Sequence, residues 1–234
     1  MAKLPEITSA QNPLLKEIRR AAAKGCATSA GLVLAETFHL LEESLASGLK
    51  VPMVLAEKRV LPVVERHVAK LRDTRVQPLA DRLLDAVTST GSAQGVIALV
   101  EPPAWTLDHV FRGRPLVVVL DGIQDPGNAG AIARAAEAFG ATGLMFLKGS
   151  ASPWSPKTLR ASAGSLFRVP FVEGLDAQTA RAALKQRRVE VWVAVPRGGK
   201  PVSEADWNSP SAVVIGSEGR GVSRAMSGAG LDLH

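Results

Sequence analysis

The chain is poor in the residues that build several common kinds of site. A single cysteine, Cys26, excludes an internal disulfide. With only four scattered histidines, His39, His67, His109 and His234, it also leaves no metal-ligand cluster in the sequence. No apolar run approaches the roughly 20 residues a membrane helix requires. The opening MAKLPEITSA lacks the apolar stretch of a signal peptide, so the expectation is a soluble protein of the reducing cytoplasm. Four motifs are missing as well: a G-x-G-x-x-G after a strand, a G-x-x-x-x-G-K-[ST] loop, a G-x-S-x-G elbow and an H-E-x-x-H pair. Arg197-Gly198-Gly199-Lys200 imitates a phosphate loop, but Pro201 stands where Ser or Thr is needed. Dinucleotide enzymes, P-loop NTPases and serine hydrolases are thereby set aside.

What remains is a globular chain of 234 residues, 46% hydrophobic and 21% charged, enough for one large or two modest domains. Its formal charge is +6, and arginine outnumbers lysine, which favours a polyanionic partner. The excess is spread over both halves rather than gathered in a basic tail.

The first hundred residues read as an α/β unit. Asn12-Pro13 starts a helix, with Leu14, Leu15, Ile18 and Ala22 on its apolar stripe and Lys16, Arg19, Arg20 and Lys24 off it. Short strands are expected at Leu32 to Ala35, Val51 to Ala56, near Val76 and at Val96 to Val100. Helices are expected after Thr37, with Phe38, Leu41 and Leu45 on one face, near Val60 to Leu71, and near Leu79 to Val87. Glu101-Pro102-Pro103 is the best linker signal. The expected domains are 1–105, a linker at 106–114, and 115–234.

The second half alternates strand and helix: Pro115 to Leu120, a helix from Asn128 to Phe139, Gly143 to Leu147, a short helix after Ser155-Pro156, a helix from Asp176 to Arg187, then Val189 to Val195 and Ala212 to Ile215. This pattern predicts a parallel sheet covered by helices, with ligand sites at the carboxyl ends of its strands. In the first βα segment, Asn128 is read as the helix cap, and Ile132, Ala136 and Phe139 as the buried stripe. Arg134 then faces away, either as a solvated arginine paired with Glu137 at i+3 or as a functional group.

Three segments stand out together: DGIQDPGNAGAIARAAEAFG, SPKTLRASAGSLFRVPF and VVIGSEGRGVS. In this order they resemble the three motifs of the SpoU (TrmH) family of RNA 2′-O-ribose methyltransferases, members of the SPOUT superfamily, over about residues 115 to 230. The stretch from Glu6 to Gly48 is similar to the L30e-like substrate-binding domain of many such enzymes, with Glu36-Thr37 where Glu-Gly is usual. The resemblance implies an L30e-like domain followed by a trefoil-knotted α/β catalytic domain that uses S-adenosyl-L-methionine, acts on RNA and forms a homodimer. Ribosomal RNA, 23S in particular, is the expected substrate. A transfer RNA substrate and a non-catalytic RNA-binding module are the alternatives.

Family analogy places Asn128, Arg134, Ser162 and Glu218 in the catalytic set, with Arg134 handling the ribose 2′-hydroxyl. A guanidinium is almost never deprotonated, so alkoxide stabilisation suits it better than base chemistry. Ala194 and Gly216 are expected at the cofactor. Asn12, Lys16, Arg19, Arg20, Lys157 and Arg160 are the candidate RNA contacts. The Ile-Pro-Met and Ser-Leu-Asn segment that ties the family's knot has no counterpart before His234. The expectation is therefore a fragment with an incomplete knot and impaired turnover.

Overall fold

Asn12 and Pro13 open the first helix as their chemistry requires: the asparagine side chain accepts from the Leu14 amide at 2.9 Å, and proline occupies the first turn, where no donor is lost. The computed structural model describes residues 4–88 and 94–234. It divides into two compact units, Met1–Pro103 with Trp154–Phe167, and Ala104–Pro153 with Arg168–His234.

In the first unit, α1 (Pro13–Lys24) buries Leu15, Ile18, Ala21 and Ala22 and ends on Gly25 in the left-handed region. It is followed by β1 (Val33–Ala35), α2 (Phe38–Ala46, capped by Thr37), β2 (Met53–Glu57), α3 (Leu61–Val68), β3 (Arg75–Leu79) and β4 (Val96–Val100). The four strands order as β1-β4-β2-β3; β4 runs antiparallel to β1 and β2, and β2 runs parallel to β3. The helix expected at Leu79 to Val87 does not form. Leu79 completes β3, Arg82 takes a positive φ of 65°, and the Leu84 amide donates at 3.0 Å to the buried carboxylate of Glu57 rather than along a helix.

The second unit carries α4 (Leu107–Val110), β5 (Leu116–Asp121), α5 (Pro126–Ala138) and β6 (Gly143–Leu147). The chain then contributes α6 (Pro156–Ala161) to the first unit. It resumes in the second with β7 (Phe171–Leu175), α7 (Ala177–Gln186), β8 (Glu190–Ala194), β9 (Ser211–Gly216), α8 (Arg224–Ser227) and β10 (Leu231–Leu233). The sheet orders as β10-β8-β9-β5-β6-β7 and is parallel throughout. One face forms the core with α7 and α8, around Val117, Val119, Met145, Val191, Val193, Val214, Leu184 and Met226. β7 was not foreseen: it is an edge strand whose register slips beside Phe146 and whose Glu173 and Gly174 interrupt any apolar run.

The first βα helix also differs from expectation. It starts two residues early, at Pro126, and its cap is Asp125, which accepts from the Asn128 amide at 2.9 Å. Its buried face is Ala129, Gly130, Ala133 and Ala136, a set of small residues that brings the helix close to its neighbours. Phe139, expected inside, is 84% exposed, because the helix ends one residue before it.

Candidate active site

The carboxyl edge of the second sheet gathers the distinctive residues of motifs one and three. Asp121 ends β5 opposite Gly216, which ends β9. Asp121 is buried, and its Oδ2 accepts from the Ser223 amide at 2.7 Å. The turn after it is pinned by Ser150, whose hydroxyl accepts from the Gly122 amide at 3.0 Å and donates to the Leu120 carbonyl at 2.9 Å. Motif three folds back on itself: Ser217 and Gly221 exchange two backbone hydrogen bonds, of 3.1 and 2.8 Å, so Glu218 sits at an exposed turn. Gly216 is required by this crossing, since a Cβ there would lie 2.1 Å from Gly221 C and Val222 N.

Because Asp125 takes over capping, the Asn128 side chain is released. Its Nδ2 donates to Oε1 of Glu218, joining motif one to motif three across 90 residues of sequence. Arg134 lies on the same helix six residues onward, about 9 Å along the axis and roughly 120° round it from Asn128. It is exposed and makes no hydrogen bond or ion pair among the described residues. Its foreseen partner, Glu137, is held instead by Arg168, with bonds of 2.6 and 3.0 Å. The i+3 pair to Glu137 is thereby replaced, and the guanidinium is free for a ligand.

The two cofactor candidates fall on neighbouring strands. Ala194 ends β8 and Gly216 ends β9, and these strands pair as far as Val193 with Val214. Ala194, Ile215 and Gly216 are all half-buried. Small side chains and main-chain groups at a strand edge suit a largely neutral ring recognised through backbone hydrogen bonds. The nearby Glu218 carboxylate suits a cationic centre. These residues fit the cofactor implied by the motifs.

Ser162 is fully buried in the first unit, and its hydroxyl donates to the Leu159 carbonyl at 2.8 Å, closing the last turn of α6. Arg160 likewise pairs with the buried carboxylate of Glu36. Arg20 is held by Glu17 at 2.7 and 2.9 Å, which lowers the Glu17 carboxyl to about 2, the Arg20 hydrogen bond acting first and the Ser29 amide second. Asn12 spends its side chain on its cap. Lys16 and Lys157 are exposed and Arg19 is half-buried. Sequence reasoning missed Asp121, whose signal was a carboxylate ending a wholly apolar run, and Asp125, overlooked in favour of Asn128.

A cavity of about 810 Å³ beside α3 and β3, lined by Leu61, Val68, Arg72 and Val76, contains none of these residues. An apolar groove of about 530 Å³ lies in the second unit between α5 and the sheet, lined by Val118, Ile132, Phe139, Trp207, Val213 and Ile215.

Comparison with known proteins gives the family and the fold. Residues 115–229 match the SpoU rRNA Methylase family. The chain is 30% identical over 225 residues to the 23S rRNA (guanosine(2553)-2′-O)-methyltransferase RlmP of Bacillus subtilis, covering 95% of this chain and 86% of the relative. It is 31% identical over 237 residues to an uncharacterised tRNA/rRNA methyltransferase of Synechocystis, covering 94% and 81%. Its fold matches the AdoMet complex of the SpoU methyltransferase AviRb from Streptomyces viridochromogenes with a TM-score of 0.83 at 25% identity, covering 95% of this chain and 88% of that one. The order of the three motifs, the parallel sheet whose strand ends display two of them and the whole-length likeness together make this chain a member of the SpoU (TrmH) family of RNA methyltransferases.

Proposed function

We propose that the protein transfers a methyl group from S-adenosyl-L-methionine to a ribose 2′-hydroxyl of ribosomal RNA, with 23S RNA as the substrate class. The observation that carries this reading is the Asn128–Glu218 hydrogen bond, together with an exposed Arg134 on the same helix as Asn128 whose neighbour Glu137 is already engaged. The names of the relatives, 23S rRNA 2′-O-methyltransferases among them, support the substrate class.

When bound, the cofactor supplies an electrophilic methyl group. Ala194 and Gly216 are the strand ends we assign to holding it. Arg134 donates hydrogen bonds to the oxygen as negative charge develops there and to an adjoining phosphate, because a guanidinium stays protonated, and the hydroxyl proton passes to solvent water at this exposed edge. Glu218, fixed by Asn128, orients the ribose and balances the positive charge around it. The first unit, with Lys16 and Arg19 on α1, is the part we assign to RNA docking and read as the L30e-like domain. The cytoplasm is the compartment that this substrate implies.

We also read the protein as a homodimer. A parallel sheet ordinarily buries both faces, yet Phe139 is 84% and Val202 55% exposed beside the apolar groove, the kind of surface a second copy covers. Light scattering should give twice the chain mass, and Phe139→Asp should shift it to one; a monomeric wild type would end this part of the reading.

The functional reading is tested with undermethylated ribosomal RNA and methyl-labelled cofactor. Label recovered as a 2′-O-methylnucleoside, and lost in Arg134→Ala, is the expected result. Salt-dependent RNA binding with no cofactor affinity would instead identify an RNA-binding module.

A further inference from the structure

Motifs one and three leave the second sheet from neighbouring strand ends, Asp121 on β5 and Gly216 on β9, which are register partners. Val119 and Val214 lie in the core with α7 and α8, so two-residue alternation turns Asp121 and Gly216 toward that same side. After Gly216 the chain closes the Ser217–Gly221 turn and recrosses the strand end, where a Cβ on residue 216 would collide with Gly221 and Val222. The return limb then reaches the next strand, and the Ser223 amide donates at 2.7 Å to the Asp121 carboxylate. Asp121 is also the root of motif one. Gly122, pinned by Ser150, begins the loop that leads to Asp125 and α5.

The two motifs thus meet twice. At their tips Asn128 donates to Glu218; at their roots Ser223 donates to Asp121. The root contact is not needed to bury the strand. β5 is otherwise the apolar run Leu116 to Leu120, and a further apolar residue would pack on the same core without taking a carboxylate out of water. Instead a buried carboxylate accepts from one main-chain donor in the limb that returns from Glu218. A directional bond of this kind fixes one atom of the limb, which apolar contact alone does not.

We propose that Asp121 is a positioning residue for the methyl-transfer reaction: its carboxylate latches the return limb of motif three through the Ser223 amide, and so holds Glu218 where Asn128 reaches it. This inference rests on the methyltransferase reading above. It adds to the assigned groups a residue that acts through Glu218 and not by contact with RNA.

The test measures the single-turnover rate, the Kd for undermethylated ribosomal RNA, the melting temperature and the side-chain amide NMR signals of Asn128, assigned by their loss in Asn128→Asp. Asp121→Ala should lower the rate about tenfold or more, as displacement of a positioned group implies. Its Kd for RNA should stay within about twofold of the wild type, because no phosphate contact is lost. In a Glu218→Ala background the same substitution should change the rate by less than about twofold, since the group it positions is gone. Asp121→Asn keeps an acceptor oxygen and should retain more of the rate than Asp121→Ala. Ser223→Pro removes the amide donor at a φ of −63°, which proline adopts. It should run about tenfold below Ser223→Ala, which loses the same hydroxyl and keeps the N–H.

A wild-type rate in Asp121→Ala would overturn the proposal. So would an equal fall in both backgrounds, the mark of a residue that merely supports the fold. If Asp121→Ala fails to melt cooperatively, the Ser223 variants decide: a slower Ser223→Pro supports the proposal, and equal rates overturn it. A wild type without turnover counts against the functional reading alone. In that case, or where Glu218→Ala leaves no measurable rate, the Asn128 signals decide. In Asp121→Ala and Ser223→Pro they should move to their positions in Glu218→Ala, and signals unchanged from the wild type overturn the proposal.

Discussion

Replacing Gly216 by alanine offers a sharp perturbation of the proposed site, because the structure gives the size of the collision. The added Cβ would stand 2.1 Å from backbone atoms of Gly221 and Val222, about 1.3 Å inside ordinary contact at 3.4 Å. The opposing backbone cannot simply retreat. It is closed by the two Ser217–Gly221 hydrogen bonds, and one residue further on it is tied through Ser223 to the buried Asp121 carboxylate. Relief requires opening that turn, so overpacking and lost hydrogen bonds should together cost about 1 to 3 kcal/mol. For a chain of this size that corresponds to a fall in melting temperature of roughly 2 to 12 °C. The turn carries Glu218, and a displacement near 1 Å should separate it from Asn128 and lower methyl transfer about 100-fold. Gly219→Ala is the control in the same loop, since a Cβ there meets nothing within 4 Å. Calorimetric melting and a filter-bound methyl-transfer assay measure both effects. Gly216→Ala with wild-type melting and turnover, or Gly219→Ala equally damaging, would refute the reasoning.

Other consequences can be checked with the same preparations. Glu57→Ala should cost about 1 to 3 kcal/mol in urea unfolding, because it leaves the buried Leu84 amide without its acceptor. Arg168→Gln releases Glu137 to reach Arg134 at i+3; an exposed pair of that kind is worth only about 0.5 kcal/mol, so turnover should fall about twofold and not further. The Glu17 carboxyl sits at about 2, below its ordinary range, so its contribution to stability is present above that range and is lost as pH falls toward 2. Glu17→Gln should accordingly melt below the wild type at pH 7, with the gap closing as the solution is acidified.

The two halves of the chain were unequally legible. PLVVVL, GLMFL and AVVI read as buried parallel strands because continuous β-branched or apolar runs leave little alternative, and the sheet is parallel throughout. The stretch from Leu79 to Val87 carries helical spacing, yet it is held in turns by Glu57, more than 20 residues earlier, a tertiary contact that no local pattern reports. Phe139 reads as core by spacing, but it falls just past the helix end, which the earlier start at Pro126 sets. At the site, Asn128, Arg134 and Glu218 were visible as motif residues, while their arrangement was not. Whether Arg134 pairs with Glu137 depends on Arg168, and whether Asn128 is free depends on Asp125. Ser162 and Arg160 show the reverse: both lie in a distinctive motif, and both are engaged in the packing of the first unit.

The central claim is that Arg134 acts on a ribose 2′-hydroxyl during methyl transfer. The direct measurement is single-turnover methylation of undermethylated 23S RNA by wild type and Arg134→Ala, with the label located by digestion to nucleosides. The account predicts label in a 2′-O-methylnucleoside and a rate about 100- to 1,000-fold lower in the variant, the magnitude associated with loss of an oxyanion-stabilising donor. The exposed position of Arg134 predicts an unchanged melting temperature. Label on a base, or an Arg134→Ala rate equal to that of the wild type, would contradict it.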